Sequence, residues 1–386
     1  MGTDIADALR EAKARGVNPL KAARELRQNQ AEAQHAAAEQ KAESSKQNTL
    51  AEAMDTWPLT PLPMGTLTQR PPPPRWLLMR PPHGIEPDWK GFLRMGKVGL
   101  IAAPGGTGKT MALAGLALAV ATGRPWLRPG AWRVPTPPEG IQVSTPGQVA
   151  LLLGEEDLED IRRRLYWTAQ LMGLSPDDTQ QAERRLLIAP LSGRDVSLVS
   201  PEGDFSPRLR QLELLLQNHA QTSAQGFSLI LVDPLSRFAG LEAETKSGHA
   251  TRFIAALERL TRLPGCPAVL FAHHERKAGG EGQDAIRGSS ALVDGVRWAV
   301  RLVPVMDPAN KSKRWTSRQG DRGIRLELVK TNYTPPGMDG YTLIQDGHHH
   351  GALRCHHPTQ DGFLEAASAQ PATSTPPPSG GRGDDL

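Results

Sequence analysis

The chain has 386 residues, only 38% of them hydrophobic, with 34 Pro and 38 Gly, which suits one large α/β domain carrying polar, loop-rich appendages. Two cysteines, Cys266 and Cys355, exclude a disulfide framework and a Cys-based zinc site, and no run approaches the roughly 18 apolar residues that a membrane span needs. A cytoplasmic protein with no membrane contact is expected; its net charge of +4 is concentrated in the middle of the chain, which suits a polyanionic partner.

Residues 1–72 form a first region. Its opening stretch, residues 4–47, is rich in Ala, Gln, Glu and Lys and holds too little apolar surface for a core of its own. This reads as a flexible arm or as a polar helix that orders on a partner. Trp57 to Pro63 and Pro71 to Arg75 follow as an extended Pro-rich linker.

From about Trp76 the pattern changes. Val98–Ala102, Val149–Leu153, Leu186–Ala189, Ser228–Val232 and Ala268–Ala272 are short apolar runs of the kind buried on both faces of a parallel sheet. Helical patterns over Asp157–Met172, Pro207–Ala220 and His249–Leu263 lie between them, so a doubly wound α/β fold with a mostly parallel sheet is expected. Val296–Val303, Ile324–Asn332 and Tyr341–Gln345 read as antiparallel strands extending one sheet edge at the C-terminal end. Residues 356–386 read as a disordered Pro/Gly/Ser-rich tail, leaving 73–355 as the core.

The first apolar run leads into Ala103-Pro104-Gly105-Gly106-Thr107-Gly108-Lys109-Thr110 and then a helical stretch from Met111. Strand, Gly-rich turn, Lys-Thr and helix is the phosphate-binding loop: backbone N–H groups curl round the phosphates at a helix N-terminus. Lys109 can reach the β- and γ-phosphates and Thr110 can ligate Mg²⁺, so ATP and Mg²⁺ are the expected ligands. Ala103 replaces the usual first Gly and is small enough for the turn.

Asp233 ends the run Ser228–Val232, the position of a Walker B carboxylate that holds the metal. Val149–Leu153 ends in Gly154-Glu155-Glu156-Asp157, which supplies carboxylates opposite the γ-phosphate. Glu156 is the expected water-activating base, with Glu155 as competitor and Asp157 as helix cap. Ala268–Ala272 ends in His273 and His274, where a polar side chain can report on the γ-phosphate. Arginines near the following strand could serve as a finger to a neighbouring subunit. The basic cluster from Lys311 to Arg322 around Trp315 suits either single-stranded nucleic acid or a solvated hairpin tip.

Together with Pro71–Trp76 and the segment Arg287-Gly-Ser-Ser-Ala-Leu-Val-Asp-Gly-Val-Arg297-Trp298, these motifs resemble the RecA-like hexameric ATPases, and within them the RepA-type replicative helicases of plasmids. The resemblance covers residues 73–355. It implies a homohexameric ring that translocates 5′→3′ on single-stranded DNA. It also implies Glu156 as base, His274 as γ-phosphate sensor and Arg297 as the trans-acting arginine, with Arg287 and Arg301 as competitors. Lys246, Arg276 and Lys277 fall on channel-facing loops as DNA contacts. The long arms at either end offer places to recruit an initiator or a primase.

Overall fold

A computed structural model of the chain describes residues 61–80, 90–127, 140–221, 226–240, 242–275, 290–333 and 340–356, with isolated positions before residue 30. The chain divides into two compact units, Met1–Pro73 and Pro74–Leu386. In the first, Ala14, Lys21, Arg24 and Gln28 are helical, and residues 64–68 form a turn closed by Gln69 N–H donating to the Gly65 carbonyl. The expected tail beyond residue 356 lies outside the described residues.

The second unit opens with β1 (Trp76–Arg80) and β2 (Lys90–Arg94), which join β4 (Gln142–Val143) in a small antiparallel sheet of order β2-β1-β4. The main sheet is built from β3 (Val98–Ala103), β5 (Gln148–Leu153), β6 (Leu186–Pro190), β7 (Phe227–Asp233), β8 (Ala268–His274), β9 (Trp298–Pro304), β12 (Arg322–Thr331), β13 (Tyr341–Asp346) and β14 (Ala352–Cys355). Its order is β14-β13-β12-β9-β3-β8-β7-β5-β6. Strands β9 through β6 run parallel, and β12, β13 and β14 extend one edge antiparallel. This is the RecA-like arrangement expected, with one correction. The stretch read as the first antiparallel strand is parallel to β3, pairing Gly99 with Trp298 and Ala102 with Arg301, and the direction reverses only at β12. No long helical pattern precedes β9, so its crossover was not legible.

Successive strand residues face opposite ways, which is why the runs are apolar throughout. Leu229 and Leu231 of β7, with Leu270 and Ala272 of β8, pack into one core with helix α1 (Lys109–Thr122). Ile230, Val232, Val269 and Phe271 pack into a second core on the other face. Helices α2 (Leu158–Met172) and α3 (Pro176–Arg185) cover the α1 face. Helices α4 (Pro207–Gln221), α5 (Leu235–Phe238), α6 (Ser247–Leu260) and α7 (Ser290–Gly295) contribute to the other. Helix α1 is buried almost all round, so its alanines fit close packing where a polar face would not. Among the described residues no helix is long and apolar enough to cross a membrane. A short hairpin, β10 (Met306–Asp307) with β11 (Asn310–Arg314), stands between β9 and β12.

Candidate nucleotide site

The parallel strands end along one edge in register. Ala103 lies opposite His274, and Leu153 opposite Asp233. The side chains that face α1 at this edge continue the alternation of the core. Positions 229 and 231 face α1 and so does Asp233; positions 270 and 272 face it and so does His274. His273 therefore points to the other side, where it is buried with Nδ1 3.9 Å from Glu244.

Between β3 and α1 the loop turns on two glycines, Gly106 at φ 68° and Gly108 at φ 86°. Side chains rarely adopt that conformation, and Gly108 is the residue from which α1 begins. The Lys109 ammonium lies 2.9 Å from His274 Nδ1. Burial lowers the Lys109 pKa, against the raising fields of Asp233, Glu155 and Glu275. Burial likewise lowers His274, reinforced by Lys109, so the ring is neutral and Nδ1 accepts from the ammonium. The Thr110 hydroxyl donates to Asp233 Oδ2 at 2.9 Å. Burial raises the Asp233 pKa, opposed by that hydrogen bond and by Lys109.

These groups suit a triphosphate and its metal. A hydroxyl and a carboxylate are hard oxygen donors of the kind Mg²⁺ takes beside phosphate oxygens. Thr107, inside the loop, is 2% exposed, and its buried hydroxyl has no hydrogen-bond partner among the described residues, an orphaned donor within the loop itself. A desolvated ammonium beside a neutral histidine is likewise short of an anion.

The two acidic residues after β5 part company. Arg164 of α2 grips Glu156 with Nε at 2.8 Å from Oε2 and Nη2 at 2.7 Å from Oε1. Burial raises the Glu156 pKa, and Arg164 pulls against it. Glu156 and Asp233 also repel one another, and the field of Glu155 reaches Lys109, Asp233 and His274, while its own ion pair is a longer 3.5 Å contact to Arg237. Asp157 caps α2, accepting from Asp160 N–H at 2.8 Å.

A family model described as an AAA domain matches residues 53–280, more than half of the chain. The chain belongs to the AAA domain family. The match spans the P-loop, the Glu155-Glu156 pair, Asp233 and the two histidines, and it supports a P-loop ATPase, of a kind that generally uses ATP and Mg²⁺. The match ends before Arg287, Arg297 and Arg301.

Among those, Arg301 is engaged within the ATPase's own subunit. Its guanidinium holds both oxygens of Glu275, at 2.7 and 3.1 Å, and contacts Glu327 at 3.4 Å. Arg297 is exposed and sits at the opposite end of the sheet, its N–H donating to the Val98 carbonyl where β3 begins. Five residues of extended strand, about 16 Å, separate that point from Ala103. Lys330 lies beside it: its ammonium donates to the Val293 and Asp294 carbonyls, and Arg297 adds to the burial that lowers its pKa. Lys246 pairs with Glu242 at 2.5 Å just before α6. Arg276, Lys277 and Arg287 lie outside the described residues.

Two features escaped the sequence. Glu275 follows the histidine pair as an unremarked residue, yet it is the buried partner of Arg301. Arg314, one member of a basic cluster, donates to the carbonyls of Gly106 and Gly105 in the P-loop, at 3.0 and 3.2 Å. No local pattern signals either pairing.

Proposed function

We propose that this P-loop ATPase is an ATP-dependent DNA helicase of the RepA type, a homohexameric ring moving on single-stranded DNA in the replication of a plasmid or mobile element. One observation carries the reading: Arg297 is exposed at the sheet end remote from its own P-loop, while Arg301 is held by Glu275. In this reading the arginine that stabilises transition-state charge would come from a second copy, and a ring supplies one to every site.

In this reading the loop N–H groups and Lys109 hold the β- and γ-phosphates, and Thr110 with Asp233 would hold Mg²⁺. The bound ion would neutralise charge on the β- and γ-oxygens. Glu155 is favoured over Glu156 as the base, because Arg164 grips both carboxylate oxygens of Glu156 while Glu155 makes a longer 3.5 Å ion pair with Arg237. A base must take a proton from water in line with the γ-phosphate, and a carboxylate committed to a guanidinium is poorly placed for it. His274, within reach of Lys109, would sense the γ-phosphate. Lys246, with Arg276 and Lys277, would meet DNA phosphates in the channel, and the excess positive charge of the core favours that partner. The arm at 1–72 offers a place to recruit an initiator or primase.

ATP hydrolysis measured with and without single-stranded DNA tests the reading, followed by strand displacement on a forked duplex. Stimulation with displacement supports the helicase. Stimulation without displacement favours a DNA-dependent ATPase that regulates replication or recombination, and no stimulation rejects both.

A further inference from the structure

The β10–β11 hairpin ends on Arg314, 208 and 209 residues from the P-loop glycines it contacts. Nη1 donates to the Gly106 carbonyl at 3.0 Å and Nη2 to the Gly105 carbonyl at 3.2 Å. One planar guanidinium thus engages two successive peptide groups as a fork.

A trans peptide is planar, and its C=O and N–H point in opposite directions. Turning the Gly105 carbonyl toward Arg314 turns the Gly106 N–H to the other side. The Gly106 carbonyl does the same for the Thr107 N–H. These are successive donors of the kind that line an anion-binding nest. Packing does little to fix their direction. A Cβ at Gly105 would meet nothing within 4 Å, and at Gly106, itself at φ 68°, it would meet only Arg314 Nη1 at 3.9 Å. A Gly-Gly pair in open space is free to rotate its peptides, and the guanidinium removes that freedom.

We infer that Arg314 is a positioning residue for the nucleotide: from the carbonyl side of the P-loop it holds the Gly106 and Thr107 N–H groups toward the phosphates. The inference rests on the reading of Ala103–Thr110 as the nucleotide site. It assigns to the nucleotide an arginine from the basic cluster whose pattern equally suited nucleic acid, and it leaves Lys311 and Lys313 exposed on the same hairpin.

The nest serves phosphates common to ADP and ATP, so the test compares the two. In the full chain, fluorescent analogues of both should bind Arg314→Ala about tenfold more weakly than wild type, by the same factor for each. The KM for ATP should rise about as much, with kcat at saturation within about twofold, because the interaction is made equally in the ground and transition states. Arg314→Lys, which keeps the charge without the fork, should recover part of the loss. Unchanged affinity in Arg314→Ala overturns the inference. So does a loss confined to ATP, which would mean a direct γ-phosphate contact, or a loss of single-strand DNA affinity alone. A wild-type chain that binds neither nucleotide would overturn the nucleotide reading itself.

Discussion

Arg164 holds both carboxylate oxygens of Glu156, at 2.8 and 2.7 Å, while Glu155 beside it turns its field on Lys109, Asp233 and His274. Neighbouring acids at one strand end are thereby divided, one to a two-pronged ion pair with α2 and one to a longer contact with Arg237 of α5.

Substitution of the two should separate their roles. Glu155→Gln is expected to keep nucleotide binding and to lower turnover by about 10²-fold or more, the effect of losing a general base. Glu156→Gln should lower turnover less and reduce the melting temperature, because Arg164 loses a charged partner. Phosphate release measured beside nucleotide affinity decides it: a larger catalytic loss at Glu156 would return the base to that residue.

The Arg301–Glu275 pair is more deeply placed, with side chains 9% and 3% exposed. Arg301→Ala strands a buried carboxylate and should cost about 3–5 kcal/mol. The double variant Arg301→Met with Glu275→Leu should recover much of it. Thermal melts of the single and double variants provide the check, and a silent Arg301→Ala would contradict the pairing.

His274 gives a pH signature. Burial, then Lys109, lowers its pKa in the folded chain, so between that value and the ordinary 6.5 the unfolded chain holds more protons. Stability therefore rises with pH through this window and is lost as pH falls below about 6.5, where protonation sets an imidazolium against the Lys109 ammonium. In His274→Gln the fall of melting temperature on acidification should be shallower than in wild type. Superimposable profiles would remove His274 from the account.

Arg297 is expected to act across a subunit boundary. Arg297→Ala should bind nucleotide normally and lose turnover on the order of 10³-fold, the scale of a missing arginine finger. Mixed with Glu155→Gln subunits it should regain activity, because one interface in such a ring pairs an intact base with an intact arginine. Flat activity across all mixing ratios would make Arg297 structural.

The fold was legible where the backbone's needs are local. The runs ending in Ala103, Asp233 and His274 are apolar throughout because both sheet faces are covered, and each expected strand is present. The β9 direction was not legible, since a strand's sequence does not record which neighbour it pairs with. The short strands β1, β2, β4 and β14, the pairing of β10 with β11, and α3 with its Ser175–Asp178 capping box have no counterpart among the expected elements. Each is short or polar, so periodicity carries little signal there.

The sequence by itself determined the phosphate loop and the order of the strand-end groups that meet it. Those depend on glycine at positive φ and on side-chain alternation, both written within a few residues. Only the tertiary structure decided the charge pairings: Arg164 with Glu156, Arg301 with Glu275, and Arg314 with the loop carbonyls. A charge-assisted hydrogen bond needs its partners within about 3 Å, and packing brings those partners together across 8, 26 and 208 residues of chain. Composition along the chain cannot choose among many acids and arginines. Proximity in the folded protein does.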